Sequence, residues 1–231
     1  MPVKEIKHIF LDLDHTLWDF ETNSDAAYRR VFAEEGLEVD FDRFLSVYHP
    51  VNRRCWEDYA AGRVSKEQVK YNRLRQSLEQ MGIRLPEAQY RRMADRYLTY
   101  LSEGTALCAG ARDILEYLKE KYTLHLLSNG FAEVQYPKIE RADLGRYFAT
   151  ITLSEEVGRL KPHPEVFAHA LQKAGALAHE SLMIGDSFGS DITGALNVGM
   201  KAVFYDPQAT RQVPETVAPT VRRLNELKNI L

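Results

Sequence analysis

Lys7-His8-Ile9-Phe10-Leu11-Asp12-Leu13-Asp14-His15-Thr16 reads as a buried strand that ends in acids. Side chains alternate along a strand, so Asp12 and Asp14 fall on one side, at its carboxyl end. Two carboxylates that close repel unless a cation or a proton separates them. A capping role at a strand-to-loop corner explains one such aspartate well and two poorly.

Outward from this strand the chain shows two textures. From about Asp19 to Gly104 it is rich in Arg, Glu, Tyr and Gln, with apolar residues at helical spacing, as in Ala27, Val31 and Phe32, or Leu74, Leu78 and Met81. Gly36, Gly62, Gly82 and Leu85-Pro86 punctuate it into about four helices, and Ser65 with Gln68 forms a capping-box pattern. After Gly110, helix and strand alternate. Helices are expected over 111–121, 133–142 (disturbed by Pro137), 164–174, 190–198 and near 221–231. Strands are expected over 123–127, 147–153, 181–184 and 201–205. Strands alternating with helices imply an α/β, doubly wound parallel sheet covered on both faces. The economical arrangement is an α/β core of residues 1–17 and 108–231, with an all-helical insertion over 18–107.

Ligands of such sheets bind beyond the carboxyl ends of the strands, where the remaining polar residues of interest also fall. Ser128-Asn129-Gly130 follows the second strand; its hydroxyl and N–H groups suit phosphate oxygens, although the same triplet is good turn chemistry. Lys161-Pro162 places a cation near the sheet mouth, where it can neutralise a phosphate and position a carboxylate. A lone lysine before proline is more often a solvated surface residue. Gly185-Asp186 through Asp191 adds two acids, of which Asp191 also fits a plain helix N-terminus. Together these strand ends offer hard oxygen ligands of the kind that suit Mg²⁺, and no His/Cys set competes for a softer metal.

Composition is that of an ordinary globular chain, and a formal net charge of -3 argues against a general binder of nucleic acid or anionic membrane. The N-terminal Met1–Lys7 lacks the apolar core of a signal peptide, and no apolar run is long enough to span a bilayer. Two cysteines, Cys55 and Cys108, form neither a disulfide framework nor a zinc motif; reduced thiols in a cytoplasmic protein are expected. No obligate protein partner is expected.

The four motifs Asp12-Leu13-Asp14-His15-Thr16-Leu17, Leu127-Ser128-Asn129-Gly130, Lys161-Pro162 and Gly185-Asp186 through Asp191, in this order and strand context, resemble those of the haloacid dehalogenase-like (HAD) hydrolase superfamily. The helical stretch matches the insertion point of that family's C1-type cap. Val51-Asn52-Arg53-Arg54-Cys55-Trp56-Glu57-Asp58-Tyr59 with Gly62, Ser128-Asn129-Gly130-Phe131 and Ser154-Glu155-Glu156-Val157-Gly158 are similar to a subgroup of bacterial pyrimidine 5′-nucleotidases of the YjjG type. The common superfamily pattern has glycine where this chain has His15; the subgroup tolerates a larger residue.

The resemblance implies a Mg²⁺-dependent phosphomonoesterase with Asp12 as nucleophile and Asp14 as general acid and base. Mg²⁺ would be held by Asp12, the main-chain carbonyl of Asp14 and Asp186. Ser128 and the N–H of Asn129 would bind phosphate, Lys161 would balance its charge, and Asp191 would hold Lys161 or a metal-bound water. The implied substrate is a small phosphorylated metabolite, a pyrimidine or non-canonical nucleoside monophosphate. A sugar-phosphate or phosphoglycolate phosphatase, a phosphomutase and a non-catalytic binding module are the alternatives. A dehalogenase does not use the second acid that Asp14 supplies. Asn52, Arg53, Trp56, Tyr59, Tyr71 and Arg75 are candidates for substrate selection, each weighed against ordinary packing. Trp18 and Phe20 fit the hinge better than a base pocket.

Overall fold

The computed structural model describes residues 6–231, so most of the Met1–Lys7 lead-in lies outside the described residues. Contacts divide the chain into two compact units, one built of residues up to Glu21 with Thr105–Leu231, the other of Thr22–Gly104.

The first unit carries a parallel sheet of β1 (His8–Leu11), β2 (Thr123–Ser128), β3 (Thr150–Leu153), β4 (Ser181–Gly185), β5 (Lys201–Tyr205) and β6 (Thr220–Val221), in the spatial order β3-β2-β1-β4-β5-β6. Strand β1 is central: Leu11 lies opposite Leu126 of β2 on one side and Ile184 of β4 on the other. The chain runs from β1 to β2 and β3 on one side and back to β4, β5 and β6 on the other. That reversal opens a crevice beyond the carboxyl end of β1. The sheet is buried on both faces because its strands are apolar at successive positions, as in Ile9, Phe10 and Leu11. Helices α5 (Ala111–Lys119), α6 (Ala132–Arg141), the single turn α7 (Ser154–Val157), α8 (Pro164–Ala174) and α9 (Thr193–Asn197) connect the strands.

Three expectations need correction. Helix α6 runs unbroken through Pro137. Proline forfeits one hydrogen bond there, but Val134, Gln135, Lys138 and Ile139 bury one face of the helix and hold it together. The segment expected as a helix over 190–198 begins as a π-helical turn, Phe188–Ile192, before α9. The closing helix expected near 221–231 is replaced by the two-residue edge strand β6 and a short 3₁₀ segment, Leu224–Asn229.

His125, in the interior of β2, is 1% exposed. It stacks on Phe10 and is hydrogen-bonded to Thr150 Oγ1 at 2.8 Å and to His8 at 3.1 Å. Burial, with the neighbouring His8, pushes its pKa down from 6.5 to about 4. The unfolded chain therefore takes up this proton before the folded one does. Stability should fall as pH drops from about 6.5 toward about 4. In urea titrations across that window, His125→Gln should lose stability less steeply than the wild type; equal slopes would exclude His125 as the source.

The second unit is an all-helical bundle following the unit boundary in α1 (Phe20–Glu34), with α2 (Phe41–Ala60), α3 (Lys66–Gln80) and α4 (Glu87–Glu103). Ser65 and Gln68 form the capping box at the start of α3. The bundle core is aromatic: Tyr28 stacks on Tyr97 at 3.9 Å and meets Phe44 and Tyr48 edge-on. Arg73, 2% exposed, lies over Tyr97 and donates to Asn52 Oδ1 at 3.3 Å. Among the described residues, no helix is long and apolar enough to cross a membrane.

Candidate active site

Strand β1 delivers Asp12 into the crevice, and the Asp12 N–H extends the ladder by donating to Ile184 O at 3.0 Å. Lys161 arrives from the loop before α8. Its ammonium contacts Asp12 Oδ1 at 2.7 Å, Asp191 Oδ1 at 2.7 Å and Leu127 O at 2.8 Å. Three oxygens thus match its three donors, the condition for burying a lysine this deeply. Burial opposes the Lys161 charge, but Asp12 and Asp191 outweigh it and hold its pKa above the ordinary lysine value.

Asp191 sits in the π-helical turn after β4, where Oδ2 accepts the Ser187 N–H at 3.1 Å. Gly185 makes room for it. A Cβ at position 185 would lie 2.3 Å from Asp191 Oδ2 and 2.7 Å from its Cβ, so no larger residue fits without moving Asp191.

Carboxylate oxygens of Asp12, Asp186 and Asp191 all lie within 4.8 Å of one another. Thr16 ties two of them together: its hydroxyl lies 3.2 Å from Asp186 Oδ1 and 3.4 Å from Asp12 Oδ2, and accepts the Asp186 N–H at 3.1 Å. Two buried acids, Asp12 and Asp191, and the half-buried Asp186 face one lysine, so negative charge is in surplus. Burial pushes Asp12 up to about 8 despite Lys161, with Asp191 and Asp186 adding to the rise. Burial and Asp191 push Asp186 up to about 7. Hard oxygen donors with uncompensated negative charge fit a small divalent cation such as Mg²⁺.

Ser128 ends β2. Its Oγ accepts from the Gly130 N–H at 3.2 Å and from Gln135 Nε2 at 2.7 Å. Both lone pairs are thereby engaged, which leaves the hydroxyl proton to be donated. The Asn129 side chain is occupied differently: Oδ1 accepts the Lys161 N–H at 2.7 Å and the Ser154 hydroxyl at 2.5 Å, while Nδ2 donates to Lys161 O at 3.1 Å. Asn129 clamps the loop that carries Lys161, leaving its main-chain N–H as the group expected to meet phosphate.

Asp14 is held apart from the three-acid cluster. Lys138 Nζ donates to Oδ1 at 2.8 Å and Gln135 Nε2 to Oδ2 at 2.8 Å. Thr16, Gln135 and Lys138 carry no expectation from sequence. The available signal was Gln135-x-x-Lys138, two polar residues on what had to be the buried face of α6. His15 adopts φ 66°, the left-handed region that glycine occupies most easily, and its ring lies against Phe20 at 4.8 Å between centroids.

Of the selection candidates, Asn52 accepts from Arg73, Trp56 and Tyr59 meet edge-on at 5.9 Å, and Tyr71 is covered by Arg91 and Arg75, the latter paired with Glu79. Arg53 is exposed on α2. Trp18 is buried in the first unit, and Phe20 half-buried beside it. Cys108 is pushed up to about 12, chiefly by burial, and remains a thiol.

A model of the family described as haloacid dehalogenase-like hydrolase matches residues 6–199. The chain belongs to this family. Among its relatives is the pyrimidine 5′-nucleotidase PynA of Streptococcus pneumoniae, 32% identical over 87% of this chain and 84% of PynA. The pyrimidine 5′-nucleotidase YjjG of Escherichia coli is 30% identical over 96% of each chain. A crystal structure of the HAD-hydrolase YfnB of Bacillus subtilis, bound to magnesium, superposes with a TM-score of 0.88 at 26% identity, covering 98% of both chains. This member of the hydrolase family therefore shares its α/β core and its helical unit with a magnesium-bound relative.

Proposed function

We propose that the chain is a Mg²⁺-dependent phosphomonoesterase that acts through an aspartyl-phosphate, with pyrimidine or non-canonical nucleoside 5′-monophosphates as substrates. The observation that carries the proposal is the separation of two nearby acids. Asp12 shares a cluster with Lys161, Asp186 and Asp191, whereas Asp14, two residues on, is held by Lys138 and Gln135. Neighbouring carboxylates in different environments suit different roles.

In the first step an Asp12 oxygen attacks phosphorus, the bond from phosphorus to the ester oxygen breaks, and Asp14 gives that oxygen its proton. In the second, water attacks phosphorus, the bond to Asp12 breaks and restores the carboxylate, and Asp14 takes the proton from water. Asp14 contributes roughly 10²–10⁴-fold in this way. Ser128 donates its hydroxyl proton to a phosphate oxygen, and the Asn129 N–H donates to another. Lys161 keeps Asp12 aimed and balances phosphate charge, and Asp191 holds Lys161. Bound by Asp12, Asp186 and the main-chain carbonyl of Asp14, Mg²⁺ would offset the repulsion between Asp12 and a phosphate dianion.

Similarity to PynA and YjjG supports the substrate class. Selection would fall to the helical unit, with Asn52, Arg53, Trp56 and Tyr59 as candidates. Phosphate release should be followed with Mg²⁺ across a panel of nucleoside monophosphates and sugar phosphates, with UMP, dUMP and dTMP expected to lead. A clear preference for a sugar phosphate sinks the nucleotidase assignment and leaves the phosphomonoesterase standing. No release from any monoester sinks both.

A further inference from the structure

We infer that Lys138 is a positioning residue for Asp14, acting through a buried ammonium braced against the faces of Trp18 and Phe20. The inference rests on the proposed role of Asp14 as proton donor to the leaving group.

Lys138 is 1% exposed, although lysine is among the costliest side chains to bury. Its Nζ lies 2.8 Å from Asp14 Oδ1, 3.9 Å from the centroid of a Trp18 ring and 5.5 Å from that of Phe20. An ammonium over an aromatic face is attracted to it, most strongly where water is excluded. The cation is therefore fixed from two directions and has no route to solvent. The Asp14 side chain, by contrast, is 23% exposed. The pair is asymmetric: the cation is sealed, and the carboxylate keeps an open side.

Gln135 lies three residues before Lys138, on the same face of α6, and takes the other carboxylate oxygen. With one donor on each oxygen the carboxyl plane cannot rotate, yet each oxygen retains a lone pair for a proton. Gln135 Nε2 also reaches Ser128 Oγ, so α6 ties the position of Asp14 to that of the proposed phosphate ligand. Transfer of a proton to a leaving oxygen demands this kind of fixed geometry. An ion pair that serves stability alone has no need of an exposed edge on Asp14, nor of a carboxylate that Gln135 also ties to Ser128.

Two substrates with different needs for a proton separate the two roles. A nucleoside monophosphate expels an alkoxide and requires the proton; p-nitrophenyl phosphate expels a stabilised phenolate and does not. The quantity to measure is the ratio of kcat/KM for the nucleotide to kcat/KM for the aryl ester, which does not depend on the fraction of enzyme that folds. In Lys138→Met this ratio should fall roughly 10-fold or more, in the direction of Asp14→Asn. Lys138→Arg, which keeps a cation, should recover part of it. If Asp14→Asn lowers the ratio and Lys138→Met does not, or if Lys138→Met loses both activities together, Lys138 is structural and the inference is overturned. If Asp14→Asn leaves the ratio unchanged, the proton-donor role of Asp14 fails, and the role of Lys138 with it.

Discussion

Asp12→Asn is expected to lower phosphate release by roughly 10⁴-fold or more, the size of effect seen when a covalent nucleophile is removed, while the protein stays folded. The amide nearly matches the carboxyl in shape, and its oxygen can still accept from Lys161. What it lacks is a nucleophilic oxygen able to form the acyl-phosphate bond. Stability should hold or rise in the absence of divalent metal. In the wild type, burial together with Asp191 and Asp186 disfavours the charged form of Asp12, and the amide carries no charge to bury. Thermal melts without divalent metal, read beside phosphate release with it, check both halves. Turnover near the wild-type rate refutes Asp12 as nucleophile. A large loss of stability would mean that the Asp12 charge is needed to hold Lys161, and that inactivity reports damage rather than chemistry.

How far the site is legible before folding depends on what places each residue. Asp12, Ser128 and Asp186 follow apolar runs, and a strand that ends in a polar residue at the crevice of a doubly wound sheet is readable from local pattern. Lys161 and Asp191 become legible through motif order, although their mutual contact at 2.7 Å is a product of folding. For Lys138 and Gln135 the polar pair on one face of α6 is visible in the sequence, but its partner is not. Their importance comes from packing α6 beside the Asp14 loop, a long-range contact that helical periodicity does not encode, and Pro137 drew attention to a break that tertiary burial overrides. Strand β6 is not legible because two residues are too few to show alternation; Thr220 and Val221 join the sheet by pairing with Phe204 and Tyr205 of β5. In the helical unit, the same aromatic spacing that reads as a base-binding surface also reads as a core. Tyr28, Tyr48 and Tyr97, none of them a selection candidate, form that core, whereas the candidates Trp56, Tyr59 and Tyr71 are half-buried.

Lys161→Met should be damaging in a different way from Asp12→Asn. The methionine occupies a similar volume but leaves Asp12 and Asp191 without their shared cation, both carboxyls being almost fully buried. Removing one partner of a buried pair costs about 3–5 kcal/mol, because the surviving charges must protonate or repel in a poorly solvated site. For a chain of this length that corresponds to a melting midpoint lower by roughly 10 °C in metal-free buffer. Added Mg²⁺ should recover part of the loss, since a cation bound by the folded state alone stabilises it and here would stand in for the missing charge. The shift produced by Mg²⁺ should therefore be larger in Lys161→Met than in the wild type. Turnover should stay low even at saturating Mg²⁺, because Leu127 O and Asp191 no longer hold a cation that aims Asp12. Two outcomes would sink this account. A midpoint unchanged without metal would mean that the carboxylates accept protons at little cost and that Lys161 is not their counter-ion. Recovery of full turnover with Mg²⁺ would mean that charge balance alone suffices and that the three-point fixation of Lys161 plays no part in orienting Asp12.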